Sequence, residues 1–129
     1  MLNKIIFTLE MNKKSEDLYV SPGGFELNKI GFDFYESSAE QKNNFVYEYE
    51  LNAVDYDAFP EAEKLTINDF KKGLWSEFYI DYEGVIYDDD ELKVNAVLSL
   101  MAEFYDSEND CYETVTLGEK QLKQLNSII

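Results

Sequence analysis

The chain has 129 residues and a formal charge of −16 at pH 7, because 27 acidic side chains stand against 11 basic ones. Every basic residue is a lysine, so the chain has neither the neutral-pH general base that histidine supplies nor the planar arginine fork that binds phosphate and carboxylate substrates. The composition therefore argues against an enzyme, and the net charge argues against direct contact with nucleic acid or an anionic membrane.

The first predicted element is a strand over residues 4–11, because apolar side chains alternate along it at a period of two. The apolar run at this end is interrupted by Glu10 and is too short for a signal peptide or a membrane span. The single cysteine, Cys111, excludes an internal disulfide. We therefore expect one cytoplasmic domain over residues 1–129, without a cofactor or a bound metal.

The next part of the chain predicts two more strands. The segment 21–24, Ser-Pro-Gly-Gly, predicts a turn, because proline presets φ and glycine accepts positive φ. Residues 25–35 alternate as one strand with a one-residue change of phase near Asn28, which is typical of a β-bulge. A polar connection is predicted for residues 37–44, and a strand with one apolar and one polar face for residues 45–51.

A helix and further strands are predicted in the middle of the chain. Thr66 followed by Asp69 is a capping pair, which predicts a short helix over residues 67–74. Alternation then predicts a strand over residues 75–82 and, after a turn, a short strand over residues 85–87.

The most regular pattern lies at residues 92–104, where every even-numbered residue is apolar. A helical period competes, but alternation favours a strand with its even face, Leu98 included, in the core. A polar turn at 106–110 and a second strand over 111–117 complete a predicted hairpin. Leucines at helical spacing in residues 118–126 predict a short carboxy-terminal helix.

Together these elements predict a mainly β (α+β) domain. We expect an antiparallel arrangement of about six to eight strands, as a two-sheet sandwich or one strongly curled sheet, with the carboxy-terminal helix covering one face. The many aromatic side chains, ten tyrosines and nine phenylalanines among them, would fill its core.

Three local patterns suggest chemistry, and each has a plainer interpretation. The acidic run 88–91 contains calcium-type ligands but lacks the order and glycine of a calcium loop, so a solvated turn is favoured. Glu48 and Glu50 have the separation of a glycosidase pair, as do carboxylates two apart on any strand. Trp75 with Tyr79 is either an aromatic ligand platform or a core anchor.

The leading hypothesis starts from the net charge, which exceeds what solubility requires of a small domain. It predicts a basic partner protein, bound by exposed tyrosines for contact area and neighbouring acids for steering. The predicted partner-binding residues are Tyr47, Glu48, Tyr49, Glu50, Asp55, Tyr56, Asp57, Asp81, Glu83, Asp88, Asp89 and Asp90.

The predicted function is therefore that of a small non-enzymatic inhibitor of a basic protein, such as a nuclease or another nucleic-acid-binding effector. Immunity proteins for secreted toxins, phage anti-defence proteins and DNA mimics have this profile. Two alternatives stay open. One is a small-molecule or carbohydrate-binding β domain, and the other is a structural component of a phage or another assembly.

Overall fold

The computed structural model describes residues 1–14, 18–27, 29–73, 75–84 and 92–129. These ranges contain seven strands, two α-helices and a 3₁₀ turn. They are β1 Leu2–Met11, β2 Leu18–Leu27, β3 Ile30–Gln41, β4 Val46–Val54, the 3₁₀ turn Pro60–Lys64, α1 Ile67–Lys72, β5 Trp75–Gly84, β6 Val94–Asp106, β7 Cys111–Thr116 and α2 Glu119–Ser127. The predicted strand at 85–87 and the acidic run 88–91 lie outside the described residues.

The strands pair antiparallel in the order β5-β2-β3-β4-β1-β6-β7. Helix α2 packs against β6 near one end of this order and against β5 at the other, so the sheet curls around the helix. The predicted fold class is confirmed: the domain is mainly β, antiparallel and curled, with a short carboxy-terminal helix.

Strand β1 lies near the middle of the sheet and shows how the two faces differ. Its residues Ile5, Phe7 and Leu9 are at most 1% exposed, whereas the intervening side chains are half-buried. The alternation predicted for this strand is confirmed. We call the buried face of the sheet the inner face and the opposite one the outer face.

Aromatic rings dominate the core on the inner face. The ring of Phe25 lies 5.0 Å from Phe32, 5.3 Å from Trp75 and 5.5 Å from Phe7, measured between centroids. Tilted and edge-to-face pairs of this kind contribute roughly 0.5–1.5 kcal/mol each beyond the area they bury. Trp75 is only 4% exposed, so of its two interpretations the plainer one, a core anchor, is confirmed.

The single strand predicted for residues 25–35 is a hairpin. Leu27 of β2 pairs with Ile30 of β3, and Lys29 in the turn adopts a positive φ of 66°. The two residues that face each other across a two-residue turn point to the same side of the sheet, although one has an odd number and the other an even number. A bulge produces the same change of phase, so the sequence pattern does not separate the two structures.

Two segments that were predicted as a turn and as a polar connection also belong to strands. Residues 21–24 lie inside β2, where the register against β5 shifts between Val20 and Gly23, so proline and glycine mark an irregular strand here. Strand β3 continues to Gln41 through residues predicted as a polar connection. Their polarity fits a strand because alternate side chains there point to the outer face.

The core position predicted for Leu98 is wrong. Leu98 is 45% exposed, and the neighbouring Val97 is 1% exposed. Thr8 of β1 pairs with Ser99 and Leu9 pairs with Val97, so β6 has one residue more than β1 at this point. This β-bulge reverses the alternation of the strand.

The amide side chain of Asn126 in α2 satisfies the backbone at this bulge. Its Oδ1 accepts a 2.8 Å hydrogen bond from the Val97 N–H, and its Nδ2 donates a 3.0 Å bond to the Val97 carbonyl. The same Nδ2 also donates to the carbonyl of Leu122.

The two predicted helices are confirmed, and α1 has the reciprocal capping box expected from Thr66 and Asp69.

Candidate functional site

The outer face of the four strands β3, β4, β1 and β6 carries a group of glutamates among neutral residues. Strand register places its side chains in rows, because residues paired across strands point to the same side. Glu40 lies directly opposite Glu48, and Ser38 lies opposite Glu50. We define the outer acidic face by the six glutamates Glu10, Glu36, Glu40, Glu48, Glu50 and Glu103.

One lysine lies between two glutamates in the middle of the outer acidic face. The Nζ of Lys4 is 3.6 Å from a carboxylate oxygen of Glu50 and 3.8 Å from one of Glu103. Asn3 adds a hydrogen bond of 2.6 Å from its Nδ2 to Glu103. These contacts hold two carboxylates on different strands near each other.

A second lysine bridges the pair of glutamates that oppose each other directly. The Nζ of Lys42 lies 3.3 Å from Glu40 and 3.8 Å from Glu48. Like charges directly opposite on neighbouring strands destabilise a sheet, and the lysine offsets that repulsion. The six glutamates exceed these two bridging lysines, so the face keeps a net negative charge.

Two of the predicted partner-binding residues, Glu48 and Glu50, lie on this face. The predicted exposure of their neighbours Tyr47 and Tyr49 is wrong, because these tyrosines are 3% and 0% exposed. Both belong to the inner face by strand alternation, and the hydroxyl of Tyr49 donates a hydrogen bond to the carbonyl of Ser21. Their contact area stabilises the core and is not offered to a partner.

The predicted trio after β4 has a partly structural role. An oxygen of Asp55 accepts a 3.1 Å hydrogen bond from the Ala58 N–H, which stabilises the local turn. The Tyr56 hydroxyl donates to the carbonyl of Leu2, and burial, with a smaller contribution from Glu63, raises the pKa of Tyr56 to about 12. Asp57 is exposed.

The remaining predicted residues lie elsewhere. Asp81 and Glu83 belong to β5, which is three strands away from β4 in the sheet order. Asp88, Asp89 and Asp90 lie outside the described residues. The prediction missed four members of the outer acidic face, Glu10, Glu36, Glu40 and Glu103, because their proximity depends on strand order.

No group of three or more potential metal ligands was found in the ranges that the structure describes. Within those same ranges, none of the helices has the length and apolar character needed to cross a bilayer. Comparison of the chain with protein-family models, curated proteins and solved structures gave no match.

Proposed function

We propose that this chain is a non-enzymatic binding protein that captures a basic protein of the kind that handles nucleic acid. The observation that supports this function is the outer acidic face, where four adjacent strands present six glutamates on one side of the sheet. A cationic surface that normally binds phosphates would be complementary to it.

Electrostatic steering is the mechanism that this arrangement favours. The charge of −16 creates a long-range attraction for a basic partner, which raises the association rate at low salt. At physiological ionic strength screening shortens the reach of exposed charges to about 8 Å. The rate of association should therefore fall steeply as salt rises, while dissociation changes less.

The spacing of the glutamates refines the idea of DNA mimicry. Residues on the same face repeat about every 6.8 Å along a strand. Four successive rows of side chains, counted in the direction of the strands, therefore span roughly 20 Å. Duplex DNA presents about 12 phosphate charges over that length. Six glutamates are sparser than this, so we propose binding through a complementary field and not through a copy of the phosphate positions. An immunity protein or a phage anti-defence protein would use the face in the same way.

Affinity capture with two charge-matched variants tests the proposal. The outer-face variant E40Q/E48Q/E50Q removes three charges from the outer acidic face. The control variant D57N/E61Q/E119Q removes three exposed charges elsewhere, so both variants have the same net charge. Immobilised wild-type protein and each variant are incubated with native lysate, and bound proteins are identified by mass spectrometry.

We expect the wild-type protein and the control variant to retain the same basic, nucleic-acid-handling protein, and the outer-face variant to lose most of it. Recovery of only acidic partners or of none would contradict the proposed function. Equal capture by the two variants would instead contradict the role of the outer acidic face.

A further inference from the structure

A cleft lined by four tyrosines lies where β1 begins and where β4 and β6 end. It has a volume of about 380 Å³, and the rings of Tyr35, Tyr56, Tyr105 and Tyr112 form part of its wall. Asn3 also lines it and donates a hydrogen bond to Glu103 of the outer acidic face. We call this feature the tyrosine cleft, and it adjoins the outer acidic face.

Two of the rings are held in place and two are open to solvent. The hydroxyl of Tyr56 donates to the Leu2 carbonyl, and that of Tyr105 donates to Asp110 at 2.7 Å. Tyr35 and Tyr112 are 60% and 61% exposed, which is high for tyrosine because this residue type usually has intermediate burial. The cleft therefore offers exposed aromatic faces on a fixed support.

Strand irregularities create the cleft. On β3 the inward-facing residue after Phe34 is Ser37, three positions later instead of two. The two residues between them, Tyr35 and Glu36, are both exposed. On β4, facing this change, Ala53 adopts a positive φ of 57°, a conformation that non-glycine residues seldom adopt. At the other wall, the rings of Tyr105 and Tyr112 lie 5.1 Å apart across the β6–β7 pair.

A second hollow beside the cleft is acidic. It has a volume of about 420 Å³, shares Tyr105 with the tyrosine cleft, and is lined by Glu63, Asp106, Glu108 and Glu113. Two cations also line it. Lys64 lies 3.4 Å from Glu61, and the amino terminus of Met1, which lines the tyrosine cleft as well, donates a 2.8 Å hydrogen bond to the Tyr105 carbonyl. The four carboxylates exceed these two cations, so the hollow keeps a net negative charge. The tyrosine cleft thus adjoins two surfaces of net negative charge, which attract a cation to its aromatic faces in preference to a neutral or anionic group.

Aromatic faces beside carboxylates fit arginine better than lysine. A cation over the face of a tyrosine ring is attracted by the negative charge of the ring face. The planar guanidinium group stacks on such rings and is less strongly hydrated than an ammonium group, so less hydration is lost when it enters. A single side chain of this kind is also small enough for the volume of the cleft.

We propose that the tyrosine cleft receives an arginine side chain of the basic partner, an inference that rests on the function proposed above. Tyr35 on one wall and Tyr112 on the other supply the exposed aromatic faces available to the guanidinium, which stacks on one of them. The outer acidic face and the acidic hollow supply the field that brings the cation to the cleft. The outer acidic face thereby governs approach, and the cleft discriminates arginine from lysine.

Three blocked tripeptides serve as probes: Gly-Arg-Gly, Gly-Lys-Gly and Gly-citrulline-Gly. Citrulline keeps the shape of arginine and removes its charge. Each peptide is titrated into the full chain, and the shifts of the tyrosine ring protons in NMR spectra give its Kd. The protein variants are Y35A/Y112A, which removes both exposed rings, and Y35F/Y112F, which keeps them.

For the wild-type protein we expect the arginine peptide to bind about fivefold more tightly than the citrulline peptide, as one exposed cation–π contact allows. It should also bind more tightly than the lysine peptide, because the planar guanidinium stacks on the ring and is less strongly hydrated than an ammonium group. Y35F/Y112F should keep this preference, and Y35A/Y112A should lose it while still unfolding in one cooperative thermal transition, at a lower temperature because the contact between Tyr105 and Tyr112 is lost. Equal binding of the three peptides, or a preference that survives in Y35A/Y112A, would overturn the assignment. Tighter binding of the neutral peptide would overturn it too, because a small-molecule or apolar site would then be indicated.

The peptide experiment and the capture experiment fail independently. Loss of capture in E40Q/E48Q/E50Q together with no arginine preference would leave the proposed function standing and remove the cleft from it. An arginine preference without capture of any basic protein would support the cleft and contradict the proposed function.

Discussion

The two faces of β4 and β1 have opposite chemistry although they belong to the same strands. On the inner face Tyr49, Leu51 and Phe7 are fully buried. On the outer face Glu48 and Glu50 remain half-buried beside lysines. Stability therefore depends mainly on the inner side of the sheet, and the partner recognition that we propose depends on the outer side. Charges on the outer face can change with little effect on the fold, whereas substitutions on the inner face affect the whole domain.

The largest expected effect tests where the boundary between the faces lies on β6. Val97→Asp places a carboxylate among apolar side chains, which should cost several kcal/mol and unfold the domain. Leu98→Asp, at the neighbouring exposed position, should cost less than about 1 kcal/mol. Urea unfolding followed by circular dichroism measures both free energies. Similar losses in the two variants would mean that the bulge does not direct Val97 inward.

A smaller effect is expected where α2 contacts the same bulge. Asn126→Ala leaves the N–H and the carbonyl of Val97 without their side-chain partner, which should lower the free energy of unfolding by about 2 kcal/mol. Lys123→Ala, on an exposed position of α2, is the matched control and should change it by less than about 0.5 kcal/mol. The same urea titration applies. An equal response of the two variants would show that the amide contact contributes nothing specific.

The smallest effect concerns the outer face. Lys42→Gln removes the cation between Glu40 and Glu48, and we expect a loss of about 0.5 kcal/mol at low salt that disappears in 1 M NaCl. Lys120→Gln, on α2 and away from this pair, makes the same change in net charge. If both variants lose the same stability, the global charge and not the local bridge is responsible.

Local patterns were sufficient to predict part of the fold. The alternation of β1, the capping box of α1, the terminal helix and the β6–β7 hairpin each depend on neighbouring residues, and all are confirmed. The position of Leu98 was not predictable in this way, because a bulge is specified by pairing with β1. The two-residue turn at Lys29 was mistaken for a bulge, since both change the phase of the alternation.

The candidate sites were harder to predict than the fold. Alternation already placed Tyr47 and Tyr49 opposite Glu48 and Glu50, which indicates burial of the tyrosines, and their predicted exposure ignored it. The tyrosine cleft combines rings from β3, β6 and β7 with one from the turn after β4. Nothing in local spacing links these residues, because only the order of strands in the sheet brings them together.

The position of β7 at the end of the sheet gives the net charge a second consequence. In the described part of the chain β7 pairs with β6 alone, so it forms one edge of the sheet. Such an edge can join the edge of another copy and extend into a ribbon. At neutral pH the net charge of −16 opposes such joining by mutual repulsion, and Glu113 adds a charge on the strand itself. The isoelectric point is about 4.1, so acidification towards that value should remove the charge repulsion between copies and allow self-association through this edge.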